Sequence, residues 1–316
     1  MKLAHAISLR LLFGALSLLF ISLVTFVAGA MAPYDAATIE AGEKATAADL
    51  VRIRHEMGLD RPWPVRYVEY LENAAHGDFG HSYAGQKKPV NQIIAERLPI
   101  TAEVAGLAII LAAGVGIGLG TLGGIYRNKA PDRAVLTLST LGVTVPNFVL
   151  APLLVYIFAY KLNQLPVTWK MDRPQGDFYY LVLPVTILAA RPAAMITRLT
   201  RQSMIDTLQQ EFIRMGIAKG VPRFRLNVRH ALRNAILPVA TAIGTSFGFL
   251  LTGSFVMDRA FTIPGIGSAT IEAITSNDMP VVQACVLVTG AMFIGINMLV
   301  DIVLPFLDPR IRESQV

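Results

Sequence analysis

Charge is scarce in this chain. Of its 316 residues only 16% are Asp, Glu, Lys or Arg, against about 25% in an ordinary soluble protein, while 53% are hydrophobic. A single compact core does not require charge to be this rare, and the mean hydropathy of +0.51 points to a surface that meets lipid, which excludes a wholly soluble enzyme. Cysteine is almost absent. With Cys285 alone there is no intramolecular disulfide framework. Five histidines stand singly along the chain, so local spacing assembles no Cys/His metal cluster and structural zinc is excluded. No GK[ST] follows a glycine-rich run, no Ser-His-Asp set shares local context, and no paired carboxylates occur outside the loops. The chain therefore offers neither a nucleotide-binding loop nor hydrolytic chemistry of its own, and is not expected to be an enzyme.

Long apolar runs are what it has instead. A transmembrane helix takes about 20 mostly apolar residues. Charge-free windows of that kind are Leu11–Pro33, Val104–Tyr126, Ala134–Tyr160, Asn234–Met257 and Met279–Val300. A sixth, from Phe178 to about Thr197, is interrupted by Arg191 and carries Pro184 and Pro192. The expected fold is thus an all-α integral membrane protein with six transmembrane helices. Lys2 and Arg10 before the first run imitate a secretory signal. That apolar run exceeds 20 residues, however, whereas signal cores run to about 7–15, so a retained anchor helix over residues 1–33 is expected.

Loop charge orients the bundle. The first ten residues carry two basic and no acidic residues, Arg127–Arg133 three and one, and Arg191–Arg233 nine and two. The intervening loops oppose them: Tyr34–Glu103 holds eight basic and eleven acidic residues, Lys161–Asp177 three and two, and Asp258–Asp278 one and three. The positive-inside rule then places both termini in the cytoplasm. It also accounts for the net charge of +6 without a nucleic-acid partner.

Residues 34–103 are too many for a connector. Helix-like stretches at Ala47–Met57 and Val65–Ala75, punctuated by Pro62, Pro64, Gly77, Gly80, Pro89 and Pro99, predict a small extracytoplasmic cap and no second large domain. The remainder, 104–316, forms the transmembrane domain with a basic loop at 198–233. In the second span Gly114, Gly116, Gly118, Gly120 and Gly124 give overlapping GxxxG spacings, a signature of close helix packing. The run Ile263–Gly267 is too broken to span and predicts a turned short helix at the outer face. Cys285, Met292 and Met298 read as packing or lipid-facing residues.

The basic loop carries the most information. Ile205, Leu208, Phe212 and Met215 recur at helical intervals, Gln209, Gln210 and Arg214 fall elsewhere on the wheel, and Gly220 with Pro222 supplies a stop. This predicts a short amphipathic helix that either lies flat in the headgroups or inserts into a cytoplasmic partner, and pattern alone leaves both open.

The segments Glu211–Gly220 and Arg229–Pro238 resemble the signature loop of ABC importer permeases, more narrowly the dipeptide, oligopeptide and nickel family. Gly58–Pro62, Gly77–Ser82, Ala95–Pro99, Phe261–Gly267 and Asp278–Gln283 resemble it too, in the order of the first of its two permease subunits. Arg214-Met215-Gly216 replaces the Glu-Ala-Ala of the general importer pattern, the stretch from Gly220 to Pro238 is longer than in that pattern, Asp258 replaces a more usual Glu, and Arg191 has no counterpart in the family pattern. The resemblance implies a multi-pass permease of a bacterial or archaeal inner membrane that pairs with a second, homologous permease. It implies two ATP-binding subunits, which would hold the ATP and magnesium, and an extracytoplasmic solute-binding protein that delivers peptides, nickel chelates, glutathione or a related solute.

By the same resemblance Leu208, Glu211, Phe212, Arg214, Met215, Ala218, Lys219 and Gly220 would face the ATPase, and Arg229, His230, Asn234 and Pro238 would anchor the return into the next span. The expected mechanism is a lever: the helix around Leu208–Ala218 moves as a rigid body when the ATPases close and rocks the spans between two open states. Arg191, about 20 Å along its helix, either meets a cargo carboxylate or snorkels to the headgroups. Asn147 and Ser246 are further candidates for the path, or satisfy neighbouring helices. A secondary transporter would show several intramembrane acids, and an integral-membrane enzyme a cluster of His, Asp or Ser at one depth; neither pattern is present.

Overall fold

The computed structural model describes residues 2–31, 35–42, 45–84, 87–169, 177–252 and 255–307. Among them every regular element is helical, and the one pair of bridged extended residues is His81 with Pro89. In chain order the helices are α1 (Lys2–Ala30), α2 (Ala36–Ala41), α3 (Ala47–Glu56), α4 (Trp63–Ala75), α5 (Val90–Ile125), α6 (Ala130–Thr144), α7 (Asn147–Leu154), α8 (Asp177–Leu208), α9 (Glu211–Ala218), α10 (Arg223–Arg225), α11 (Arg233–Thr252), α12 (Phe255–Ala260), α13 (Ile266–Thr275) and α14 (Met279–Leu307). Widened π turns extend α7 through Val155–Lys161 and join α10 to α11 through Leu226–Leu232.

Among the described residues five helices are long and apolar enough to cross a membrane, and up to six if one bent pair is counted as a single span. The bent pair corrects the reading of Ala134–Tyr160 as an ordinary span: the chain turns by 105° between Ala130–Thr144 and Asn147–Lys161. Pro146 is the cause. It has no N–H to continue the ladder, and its ring drives Val145 out of the helical region to ψ 116°. The second span is likewise not confined to Val104–Tyr126, because α5 runs unbroken for 36 residues through Pro99. Its first turns belong to the cap, so cap and bundle share one helix.

α5 and α8 form the central seam. In a bilayer, apolar burial does not drive helices together, and close backbone approach does that work. Gly116, Gly120 and Gly124 supply it: a methyl group at these positions would stand 2.6, 2.5 and 2.5 Å from side-chain carbons of Ile196, Thr200 and Met204 on α8. Gly114 and Gly118, on the other overlapping spacing, meet nothing within 4 Å. Gly142 brings α6 onto Ala190 and Ala194 of α8, while Gly244 and Gly248 bring α11 onto Val300 and Phe293 of α14. α1 is mostly bare, packing on α14 and on the cap.

Between the first two spans, α3 and α4 fall on the helix-like stretches Ala47–Met57 and Val65–Ala75. Thr46 and Asp49 form a reciprocal capping box at the start of α3. α4 lies on α1, where Phe26 meets the rings of Tyr67 and Tyr70 at 5.3 and 5.9 Å and the Tyr67 hydroxyl bonds Ser22 at 2.9 Å. Asp278, buried at the start of α14, ties the cap to the bundle by accepting from the Ser82 hydroxyl and from the backbone N–H groups of Tyr83 (3.1 Å) and Ala84 (3.4 Å). A small core of Val90, Ile94, Ile266, Ala269, Ala273, Val281, Ala284 and Cys285 underlies this joint. Cys285 is thus a packing residue; Met292 packs half-buried against the main core, and Met298 is also half-buried.

Candidate functional site

At the opposite, basic end the chain leaves α8 at Leu208, takes one extended step at Gln210 (ψ 151°), and re-enters helix at Glu211. The amphipathic period expected from Ile205 onward is therefore split. Ile205 and Leu208 close α8, and the short helix proper is α9. Gly220, at φ +73°, ends it in a left-handed conformation that glycine adopts without strain.

α9 rests on the bundle through two residues one turn apart. Ile213 is 2% exposed in a core with Met204, Leu226, Ala231 and Ala235. Gly216 sits so close that an added methyl would reach 2.7 Å from Leu226. Leu208 packs half-buried on the same core rather than outward. Every other residue expected to face a partner is exposed: Glu211, Phe212, Arg214, Met215, Ala218, Lys219 and Gly220. With Phe212 at 39%, Met215 at 59%, Ile217 at 62% and nearby Phe224 at 79%, the patch is apolar, and Arg214, Lys219, Arg223 and Arg225 rim it. A bare apolar patch with a charged rim suits either a protein partner or a headgroup surface.

In the return segment Arg229 and His230 are exposed, and buried Leu226 and Ala231 hold the turn down. Asn234 donates its side-chain N–H to the His230 carbonyl at 2.8 Å. Pro238, four residues on, has no N–H to offer the Asn234 carbonyl, so this stretch of helix is irregular by sequence. The candidate path residues are not gathered: Asn147, half-buried, opens α7, Ser246 lies half-buried on α11, and no described hydrogen bond joins either to Arg191. Arg191 is exposed. It heads a bare face of α8 that continues through Met195, Arg198, Gln202 and Asp206, with Gln202 donating to Asp206 at 3.0 Å.

One element escaped the sequence reading. Asp132, 2% exposed at the start of α6, receives two hydrogen bonds from Arg201 of α8, one of them at 2.8 Å, and a third from the Asn128 backbone N–H at 2.7 Å. The pair locks the α5–α6 turn onto α8 two turns above α9. Its signal was the lone acid of an otherwise basic loop, which a tally of loop charge treats as noise. Asp258 is similar in kind: buried, it accepts from the Gly267 N–H at 3.1 Å, and Gly265 and Gly267 leave room for its carboxylate at the turn between α12 and α13. No group of His, Cys, Asp or Glu suited to a metal ion occurs among the described residues.

Residues 116–313 match the family described as binding-protein-dependent transport system inner membrane component, and residues 5–105 match its N-terminal companion. A protein of Brucella abortus (strain 2308), provisionally named a peptide transport system permease protein, is 38% identical over 298 residues, 93% of this chain and 95% of the relative. A provisionally named peptide ABC transporter permease protein of Sinorhizobium fredii is 36% identical over 89% of this chain and 91% of its own. The glutathione transport system permease protein of Pectobacterium atrosepticum is 37% identical over 94% and 95%. With long apolar helices in a bundle and a family match over well more than half its length, the chain is a multi-pass membrane protein that belongs to the binding-protein-dependent transport system inner membrane component family.

Proposed function

We propose that this chain is one permease subunit of an ATP-driven importer of peptides, with α9 as the surface that receives the ATPase. The exposed apolar patch of Phe212, Met215 and Ile217 carries the reading, because a helix seated on only Ile213 and Gly216 offers the rest of its surface to a partner. The excess of basic residues at that end supports a cytoplasmic orientation. Both ATP and magnesium then belong to two partner subunits, a second permease completes the passage, and a solute-binding protein docks at the cap. Relatives named for peptides and for glutathione support a cargo with amide bonds and free carboxylates. In a reconstituted complex, Arg214→Glu and Phe212→Ala are expected to abolish cargo-stimulated ATP hydrolysis while leaving the subunit folded. Wild-type stimulation in both would refute the docking role.

The bare face of α8 supports a second assignment within the same reading. A guanidinium inside a span costs about 2.5–3.5 kcal/mol on insertion scales, so Arg191 belongs against water or the second permease rather than lipid. A passage for carboxylate-bearing cargo supplies both the water and the counter-charge. Unchanged uptake in Arg191→Met would remove Arg191 from the path.

A further inference from the structure

α4 has three sides. On one, Tyr67 and Tyr70 lie against Phe26 of α1. On the second, Arg66, Glu69 and Asn73 line an open cavity of about 620 Å³ at the capped end. The third carries Pro64, Val68, Leu71 and Ala75 at i, i+4, i+7 and i+11, the spacing of one helix face. Leu71 is half-buried, whereas Pro64, Val68 and Ala75 are exposed, Val68 at 62%. Trp63, 58% exposed, stands at the head of this stripe. The described residues leave the stripe largely bare, and a contiguous apolar face of that kind marks a contact with protein or membrane.

The contacts with α1 fix the depth at which the stripe lies. The Tyr67 hydroxyl bonds the Ser22 hydroxyl at 2.9 Å and donates to the Leu19 carbonyl at 3.2 Å. Counted back from Ala30 at the end of α1, Phe26 lies about 6 Å, Ser22 about 12 Å and Leu19 about 16 Å along the helix at 1.5 Å per residue. α1 has little length to spare: its span Ser8–Ala30 is 23 residues, about 34 Å against a hydrocarbon core of about 30 Å. Lifting these contacts clear of the bilayer would leave only the part of α1 below Leu19 to cross it, which is too short. Both tyrosine rings pack on Phe26, so the axis of α4 lies nearer that level than the Tyr67 hydroxyl does. We infer that α4 is an interfacial helix, with the stripe from Pro64 to Ala75 inserted among the acyl chains of the cap-side leaflet and Arg66, Glu69 and Asn73 turned to the water of the cavity. Amphipathic helices settle about 5–10 Å into a leaflet, and tryptophan is at home at that level. On α1, exposed Phe20, Val24 and Val27 continue the same lipid-facing surface. A protein arriving from the water on the cap side would meet headgroups before it met the stripe. The inference needs α1 to span the membrane and is independent of the importer reading.

Nitroxide labels test this directly. Val68→Cys and Ala75→Cys on the stripe and Asn73→Cys on the cavity side, each with the one native cysteine removed by Cys285→Ala, are labelled in the full chain in phosphatidylcholine vesicles. Power saturation is measured with oxygen, which concentrates among acyl chains, and with a water-soluble nickel chelate. The labels at Val68 and Ala75 are expected to favour oxygen over the chelate several-fold, and the label at Asn73 to show the reverse preference. The same preference at all three positions, or a chelate preference at Val68 and Ala75, overturns the assignment. So does shielding of Val68 and Ala75 from both reagents in the assembled complex, which would put another subunit on the stripe. The unlabelled chain supplies a check that no introduced cysteine can disturb. Brominated acyl chains should quench Trp63, measured as the part of the quenching that Trp63→Phe removes, and quenching of Trp63 by aqueous iodide alone would overturn the assignment.

Discussion

Replacing Gly120 by alanine adds a single methyl group at the centre of the α5–α8 seam. That methyl would stand 2.5 Å from the Thr200 Cβ, 2.6 Å from the Thr197 carbonyl oxygen and 3.0 Å from the Arg201 backbone nitrogen. Carbon atoms rest at about 3.5–4.0 Å, so the helices must part by about 1 Å along the seam. Two of the three obstacles are main chain and cannot swing aside. The helix-propensity gain of up to about 1 kcal/mol for alanine over glycine is then outweighed, because overpacking costs about 1–3 kcal/mol before the loss of contacts at Gly116 and Gly124 is counted. Gly118→Ala is the matched control. It has the same chemistry on the same helix, with nothing within 4 Å, and should be neutral or slightly stabilising in the isolated chain. Thermal unfolding of the purified chain in detergent, followed by circular dichroism, should put Gly120→Ala about 5 °C below Gly118→Ala, on the usual scale of a few degrees per kcal/mol. Equal midpoints would refute the assignment of the Gly116-Gly120-Gly124 row, rather than its neighbour, to the intramolecular seam.

Two further outcomes are expected. Arg201→Met leaves the Asp132 carboxylate buried with one backbone donor and should cost about 3 kcal/mol of stability, whereas the double variant Asp132→Leu/Arg201→Met should recover most of it; additive losses in denaturant unfolding would show that the pair is not coupled. Asp278→Ala strands the Tyr83 N–H and leaves the Ser82 hydroxyl and the Ala84 N–H only their bonds within the Ser82–Ala84 turn, so limited proteolysis should cut around residues 82–84 faster while the spans stay intact; an unchanged cleavage rate would show that other contacts hold this turn.

The spans were legible because an apolar run of 20 residues has few other uses, and the glycine-rich run announced a packed helix. It could not say which of two interleaved glycine rows packs, since GxxxG spacing holds for Gly114-Gly118 as it does for Gly116-Gly120-Gly124; only the position of α8 separates them. The bend at Pro146 was available from the pre-proline rule, but hydropathy across Ala134–Tyr160 stays high through the turn and hides it. The split between Leu208 and Glu211 was hidden for a related reason. Ile205, Leu208, Phe212 and Met215 keep a helical period across a break made by one extended residue, so periodicity reads two helices as one. The Asp132–Arg201 pair lies 69 residues apart and carries no local pattern. The exposed face of α9 was legible as far as its residue types, and Ile213 with Gly216 as its seat was not, because burial of so short a helix is decided by Leu226 and Met204 from outside it.

These joints make one continuous body of elements that the sequence presents separately. Ile213 of α9 packs in one core with Met204 of α8, and Met204 faces Gly124 of α5. α5 then runs without a break to Val90 and Ile94, which pack beneath the cap with α13 and the start of α14. Every step is either close backbone packing or a buried core, and neither deforms gradually, so under the proposed role a push on α9 would be passed on rather than absorbed. If α9 receives the ATPase as proposed, the lever would extend further than a helix over Leu208–Ala218. Under the proposed docking role it would take in α9, α8 and α5 with the cap joint at their far end, and the extended residue Gln210 is the break in the backbone between α8 and α9. A displacement that stopped at Gln210 would tilt α9 alone, whereas one carried through Ile213 into Met204 moves the seam. The close packing of Gly216 on Leu226 favours the second, because it leaves α9 no clearance to tilt into.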